Sequence, residues 1–412
     1  MLVEMGRDRI TVDPTDVSGG IVSSIRPGSA PGSRSSTRRA VARAAGLLSA
    51  AVCAAGLIGV ADPAVAAAHG RHHSHHHGSS PVAVLADGLN GPRQVSAGRG
   101  GLLVAESDSG QITQVDPWRH RSRTVVSGLT LPQGVTSIGN RIYIAAGEAE
   151  PDDDPSTPDE STGGLYVARP GGTPRLFADL LAYELANNPD GQIQFDQNGE
   201  PTDSLSNPYF VIKDRRHHGF LLVADAGAND VLAVDRRGRV STFFVPSVIT
   251  TGVCATAENN TPSGVGCDPV PTGLAYGPDG LLYISALASE QPGEGRVYVV
   301  TPHGRLVRVI TGFTAPTGVA VDRYGTVYVS ELLEGAPAND APPPPGFDPS
   351  TVGQIVAVPR FGPRTYAQVT MPSGLLWSHG RLYSSAWAIA SFLGIPDAGQ
   401  LVTVGRSAFQ RP

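Results

Sequence analysis

Lysine is almost missing from this chain: Lys213 is the single one among 412 residues. Arginine carries the remaining positive charge, and no basic stripe appears. The clustered cations that displace counterions from a nucleic-acid backbone are therefore absent, and nucleic acid is disfavoured as a partner. The formal net charge is −6, and residues 1–68 hold seven of the basic and five of the acidic residues, so the remainder is more acidic still. Charged residues make up only 17% of the chain, too few for an architecture of long solvated helices. Catalytic signatures are also missing. There is no Gly-x-Ser-x-Gly elbow, no His-Glu-x-x-His, no Cys-x-x-Cys and no phosphate-cradling glycine loop.

Glycine and proline are abundant, at 50 and 35 residues. They recur at fixed places between apolar runs, which argues against disorder and for many short strands joined by tight turns. A chain of this length could form one large all-β domain or two or three ordinary ones. The repeat decides between them. Ala315 to Glu331, APTGVAVDRYGTVYVSE, reads as Pro-x-Gly, an apolar run, a glycine turn and a second strand. Related units start at Pro92, Pro132, Pro208, Pro271 and Pro372, at intervals of 40–76 residues. A third strand follows each (GQITQV, GGLYVA, NDVLAV, GRVYVV, GQIVAV, GQLVTV). A fourth precedes the next Pro, as in RTVVSGL and RLVRVITGF. Four-strand units repeating at such intervals predict a radial array of blades. After GQLVTV only Gly405 to Pro412 remain, whereas VAVLADGL at Val82 to Leu89 matches the fourth-strand type. The predicted fold is all-β: a six-bladed β-propeller closed by the N-terminal strand pairing into the last blade. Pro suits a strand start, where its missing N–H costs little. The Gly two residues later allows neighbouring backbones to approach closely. Blades one and three break this pattern, with Arg93-Gln94 and Tyr209-Phe210 after the Pro; the breaks are functional positions or tolerated drift.

Arg38, Arg39 and Arg43, the apolar stretch Ala44 to Val60 and then Ala64-Val65-Ala66 describe a secretory signal peptide with a long n-region. Thr37-Arg38-Arg39 hints at a twin-arginine signal, so export by either the Sec or the twin-arginine route is expected, with no stable membrane span after cleavage. The expected organisation is 1–68 signal peptide, 69–80 His-rich disordered segment, 81–405 propeller and 406–412 C-terminal tail. His69, His72, His73, His75, His76 and His77 could chelate Zn²⁺, Cu²⁺ or Ni²⁺, or form an unstructured tail. Of the three cysteines, Cys53 falls within the signal. Cys254 and Cys267 are most simply a disulfide closing a short polar loop, worth roughly 3 kcal/mol on the loop-entropy model.

Two rings of candidate binding residues follow from aligning the repeats. At the end of strand two stand Glu106, Ala146, Asp225, Ala286, Glu331 and Ala386, with acids on alternate blades. If they face the channel, Glu106, Asp225 and Glu331 would favour a divalent cation such as Ca²⁺; alternatively they cap turns by accepting backbone N–H bonds. The residues after each Pro are Arg93, Gln133, Tyr209, Thr272, Thr317 and Ser373, which suit the entrance of a water-filled channel or plain solvent exposure. Three insertions stand out: acidic Glu148 to Glu160, Leu180 to Asn207 with a helical turn or two, and Pro-rich Gly335 to Pro349. Within the second, Glu184, Asn187, Asn188 and Asp190 could reach over the channel mouth. His217 and His218 lie in an exposed turn.

The copies TGVAVDRYGTVYVSE and FLLVADAGANDVLAVDRRGRV resemble NHL-type propeller repeats. The ordered set ELANNPDG, SNPYF, ADAGANDVLAVD, GCDPVPTGLAYGPDGLLYISAL, PPPPGFDPSTVGQI and LYSSAWAIASFLGIPDAGQ resembles the ScyD/ScyE family of exported bacterial proteins. That resemblance runs from about Val82 to Val404. It implies a six-bladed propeller, with a loose link to scytonemin-type pigment gene clusters and no catalytic residues to transfer. Two functions remain. One is a secreted, monomeric binding or scaffolding module for a small molecule or protein. The other is a metal-dependent lactonase or esterase similar to gluconolactonase-type propellers, holding a cation in the channel.

Overall fold

The computed structural model describes residues 81–147, 163–215, 221–337 and 344–412. These residues form six four-stranded antiparallel sheets. Blades one to five are residues 92–126, 132–179, 208–244, 271–313 and 316–368. Blade six takes three strands from Leu375–Ser378, Arg381–Ala386 and Gly399–Val404, and its outer strand from Val82–Leu89. Val82 pairs with Val404 and Leu89 with Gly399. The molecule is a six-bladed β-propeller closed as its repeats predict.

Burial explains the strand sequences. Strands two and three are sandwiched between neighbouring blades, so Leu221–Asp225 and Asp230–Val234 are buried at every position. Outer strands face solvent. Arg121–Val126 therefore exposes four residues before burying two, and its arginines keep that free edge soluble. Each of the six seams between blades holds one apolar cluster. Between blades three and four, Phe210, Leu222 and Val231 meet Leu274, Ile284 and Tyr298. At the closing seam, Leu85 and Leu401 meet Val95 and Val104. Each such large side chain contributes about 1.5–3 kcal/mol when fully buried.

Two backbone devices recur. In blades one to five the residue after strand two donates its N–H to the carbonyl just before the Pro, at 2.9–3.1 Å; in blade six Ala388 does so. The Pro-x-Gly glycines abut the next blade. A Cβ on Gly318 would lie 2.2 Å from the Ser373 carbonyl oxygen, and one on Gly134 would lie 2.5 Å from Cα of Phe210. The close approach expected of this motif is present.

Antiparallel pairing sends the strand two-to-three connections and the links between blades to one face, the loop face. The hairpin turns occupy the other, where Arg381 stacks over Trp118 at 4.8 Å and Arg323 over Tyr324 at 4.6 Å. The C-terminal residues are tied to blade five: Tyr366 and Gln410 exchange backbone bonds of 2.8 and 2.9 Å, and Phe409 packs on Tyr328. Cys254 and Cys267 are disulfide-bonded with Cα atoms 5.2 Å apart. No helix among the described residues is long and apolar enough to cross a membrane. The expected signal peptide, the His-rich segment with His72, His73, His75, His76 and His77, the acidic loop and His217–His218 lie outside the described residues.

Candidate functional site

The residues after each Pro do not line a wet entrance. Arg93, Gln133, Tyr209, Thr272, Thr317 and Ser373 are all buried, and their polar atoms are taken up inside the protein. Thr272 donates to the Pro316 carbonyl at 3.0 Å and Thr317 to the Ser373 carbonyl at 3.3 Å, each bonding to the next blade. Gln133 donates to the Asn207 side chain. Arg93 donates to the Ala388 carbonyl and stands 3.8 Å from Asp108. The Tyr209 hydroxyl meets Ser373 Oγ at 3.0 Å, joining blades three and six across the axis. Gln94 likewise crosses from blade one, donating to the carbonyls of Thr317 at 2.8 Å and Thr272 at 3.2 Å. Val270, Leu287, Leu332 and Met371 pack around Tyr209. Among the described residues these side chains therefore cross the axis where an open entrance was expected, and the breaks in Pro-x-Gly have different uses. Gln94, standing where other blades have Gly, bridges the axis, while Phe210 enters the seam with blade four.

The three acids at strand-two ends are not brought together either. Glu106 accepts from Asn90 N–H at 2.8 Å and Gln111 Nε2 at 3.2 Å. Glu331 accepts from Thr314 N–H at 2.8 Å and Gln354 Nε2 at 2.6 Å. In both blades one oxygen fixes the incoming loop and the other the glutamine directly opposite on strand three. These carboxylates point back into their own blades, so they staple connections instead of ringing the axis. Asp225 fixes its loop too, accepting from Asn207 N–H at 2.6 Å, Ala228 N–H at 3.2 Å and Ser206 Oγ at 2.7 Å. Opposite it, however, stands Asp230. Among the described residues no three His, Cys, Asp or Glu side chains group so as to hold a metal ion.

Above blade three the chain builds a roof. Asp179 caps the helix Leu180–Asn187 by accepting from Ala182 N–H at 2.8 Å, and Asn188 ends it in a left-handed turn with φ 42°. Glu184 is buried beneath this helix and accepts from Gln194 Nε2 at 3.0 Å. Asn187 is exposed and bonded back to the Tyr183 carbonyl, away from the site. Asp190 accepts from Gln192 N–H at 3.0 Å and Asn229 Nδ2 at 3.2 Å. The disulfide loop ties in from the other side. Asn260 donates to Asp203 at 2.9 Å, while Asp268 accepts from Gln192 Nε2 at 2.5 Å and Asn259 Nδ2 at 2.9 Å. Polar bonds therefore tie the two segments to each other, and the disulfide closes the second of them. Leu185, Ile193 and Phe195 of the first segment and Val253 and Val265 of the second are exposed.

Beneath the roof the carboxyls are desolvated together. Burial, then the negative charge of Asp190, pushes Glu184 up to about 8. Burial lifts Asp225 to about 6 against the hydrogen bonds from Ser206 and Asn207. Asp230 is raised well above the ordinary carboxylate range, first by burial and then by the charges of Asp225 and Glu184. Asp190 and Asp268 are raised by burial as well. Burial is the leading cause in all five, so these carboxyls share one poorly solvated environment.

Sequence reasoning named Glu184, Asn188, Asp190 and Asp225 here but not Asp230, Gln192 or Asp268, and on the axis it noted Gln94 only as part of a break. A signal for Asp230 existed: strand three opens GQ in blades one, five and six and ND in blade three.

The molecule is a propeller with side chains across its axis and a roofed third blade. No family model matches the chain, and no curated protein does. Solved structures similar to it include the calcium-binding protein regucalcin from Agrobacterium tumefaciens, at 11% identity and TM-score 0.46 over 78% of this chain and 92% of that one. Another is a gluconolactonase from Xanthomonas campestris, at 11% identity and TM-score 0.47 over 78% and 89%. A third is virginiamycin B lyase from Staphylococcus aureus, at 10% identity and TM-score 0.41 over 74% and 80%.

Proposed function

We propose that this chain is an exported, monomeric binding propeller of the ScyD/ScyE family. Its partner, a small molecule or a protein presenting an apolar surface, is taken by the outer surface of the roof. One observation carries the reading: Leu185, Ile193, Phe195, Val253 and Val265 are exposed on two segments that hydrogen bonds tie to each other, one of them closed by a disulfide. Exposed apolar side chains on a rigidly based loop platform characterise binding surfaces, and rigidity lowers the ordering cost of association. The disulfide suits an oxidising compartment, consistent with the signal-like N-terminal sequence. A hydrolase with an axial cation would need a reachable axis, and Gln94 and Tyr209 occupy that space.

The test is titration of the full chain with an apolar aromatic fluorophore, compared with an Ile193→Asp/Phe195→Asp variant. Saturable binding, lost in the variant at unchanged melting temperature and without turnover of a lactone and ester panel, is expected. Binding that the variant retains, or any lactone turnover dependent on added divalent ion, would overturn the reading.

A further inference from the structure

Blade three repeats the strand geometry of blades one and five with one change of chemistry. Where Glu106 faces Gln111 and Glu331 faces Gln354, Asp225 faces Asp230. A glutamine there offers an N–H to the carboxylate, whereas an ionised aspartate offers nothing. Like charges directly opposite across strands repel, and both aspartates are 0% exposed, so water does not screen them. Asp225 has its three donors, but neither oxygen of Asp230 has any among the described residues.

The roof above supplies more of the same. Glu184 Oε2, Asn188 Oδ1 and Gln192 Oε1 are buried and likewise lack hydrogen-bond partners. All of these orphaned atoms are acceptor oxygens. The amide orientations are fixed by their other ends: Asn188 Nδ2 donates to the Gln192 carbonyl at 2.9 Å and Gln192 Nε2 to Asp268 at 2.5 Å. Flipping either amide would set oxygen against oxygen, so its carbonyl must face the other way. No Arg, Lys or His is among the leading influences on Glu184, Asp225 or Asp230. A buried acceptor without a donor is costly, and more so if charged, so these oxygens need a counterpart.

We infer that the space between the roof and blade three is a Ca²⁺ site. Asp230 and Glu184 are its anionic ligands, and Gln192 and Asn188 provide amide oxygens. Carboxylate and amide oxygens without nitrogen or sulfur are a hard-cation set, and irregular all-protein oxygen cages suit Ca²⁺ better than Mg²⁺. Two carboxylates balance the charge of one such ion, leaving Asp225 to its three donors. With only two acids, neither of them in the ring of Glu106, Asp225 and Glu331, this set differs from that ring. Three ligands belong to the insertion and one to the blade, so the ion clamps the roof onto the propeller. The inference stands whether or not the roof's outer surface binds a partner.

The experiment is calorimetric titration of EDTA-treated full chain with Ca²⁺, with and without excess Mg²⁺, for wild type, Asp230→Asn and Glu184→Gln. One Ca²⁺ per chain is expected, little displaced by Mg²⁺ and weakened about 100-fold by either substitution, since each removes one ligand charge. The His-rich segment is unchanged in these variants and its imidazoles do not favour Ca²⁺, so it cannot mimic the result. A second readout separates a site from a merely structural acid pair. Ca²⁺ raises the melting temperature of wild type but not of Asp230→Asn, and in EDTA Asp230→Asn melts above wild type because it restores a donor opposite Asp225. If Asp230→Asn fails to fold, Glu184→Gln carries the same comparison. No Ca²⁺ uptake at millimolar concentration, or uptake that both variants retain, would overturn the inference.

Discussion

Glu290 provides a test in which the sign and size of an effect follow from one buried group. It ends a run in the blade four connection where Ala288, Ser289 and Glu290 are all left-handed, with φ of 58°, 47° and 60°. That turn holds the carboxyl in a half-buried position, and burial alone pushes it up to about 7. In the unfolded chain an ordinary glutamate ionises near 4.3. Below pH 4 both states keep the proton and the residue has no effect on stability. Between pH 4 and 7 the unfolded chain ionises while the folded chain keeps its proton, so stability falls as pH rises. Above 7 the penalty is constant. The displacement from 4.5 to about 7 corresponds to about 3 kcal/mol. That figure is a ceiling, because water still reaches part of the side chain. Urea unfolding of wild type and Glu290→Gln at pH 4, 5.5, 7 and 8.5 measures it. The two should coincide at pH 4, separate through pH 7, and at pH 8.5 the variant should be more stable by about 1–3 kcal/mol. Other acids titrate in both proteins and cancel in the difference. A separation that does not change with pH would refute the reasoning.

Two further substitutions probe the frame. Gly318→Ala places a Cβ 2.2 Å from the Ser373 carbonyl oxygen and 2.9 Å from the Leu375 nitrogen, both backbone atoms of the next blade. The ring must open slightly, and a loss of about 3 kcal/mol in denaturant unfolding is expected; an unchanged midpoint would mean the blades are not held at that contact. Gln94→Ala removes the donor to two buried carbonyls and leaves a void on the axis. It should cost about 2–4 kcal/mol by the same measurement, and a neutral outcome would show that the amide does not bridge the axis.

The frame was legible because its causes are local and repeated. Pro, Gly and alternating apolar residues carry backbone requirements that each copy states again, and Val82 to Leu89 matched the fourth-strand type closely enough to predict ring closure. A helical turn or two was also expected in LLAYELANNPDG, where the helix Leu180–Asn187 stands. What could not be read was the partner of each acid. Glu106, Asp225 and Glu331 occupy the same place in the repeat, yet their chemistry depends on the residue across the strand: Gln111, Asp230 or Gln354. The position of the ring was visible while the direction of its side chains was not. The roof was less legible still, since residues 188–207 take their shape from Asn259, Asn260 and Asp268, a long way off in sequence and brought near only by the disulfide loop. Burial of Thr272, Thr317 and Ser373 inverted their expected role for the same reason: a hydroxyl near an axis is polar in sequence and fully used in the fold.

Ring closure by Val82–Leu89 has a consequence for the order of assembly. A chain made from its N-terminus produces that strand before the other described strands, yet its partner Gly399–Val404 is the last of them. Until then the strand has no mate, and the apolar flanks of blades one and five both face water. Blade six is therefore the one blade that cannot form as a local unit, and its formation turns a curved row of sheets into a ring. The bridge between Tyr366 and Gln410 draws the chain's end onto blade five beside that join. Clipping at either end should thus act on the whole ring, releasing an open arc with two adhesive flanks, whereas a cut in a hairpin turn of blade two would leave the circle intact.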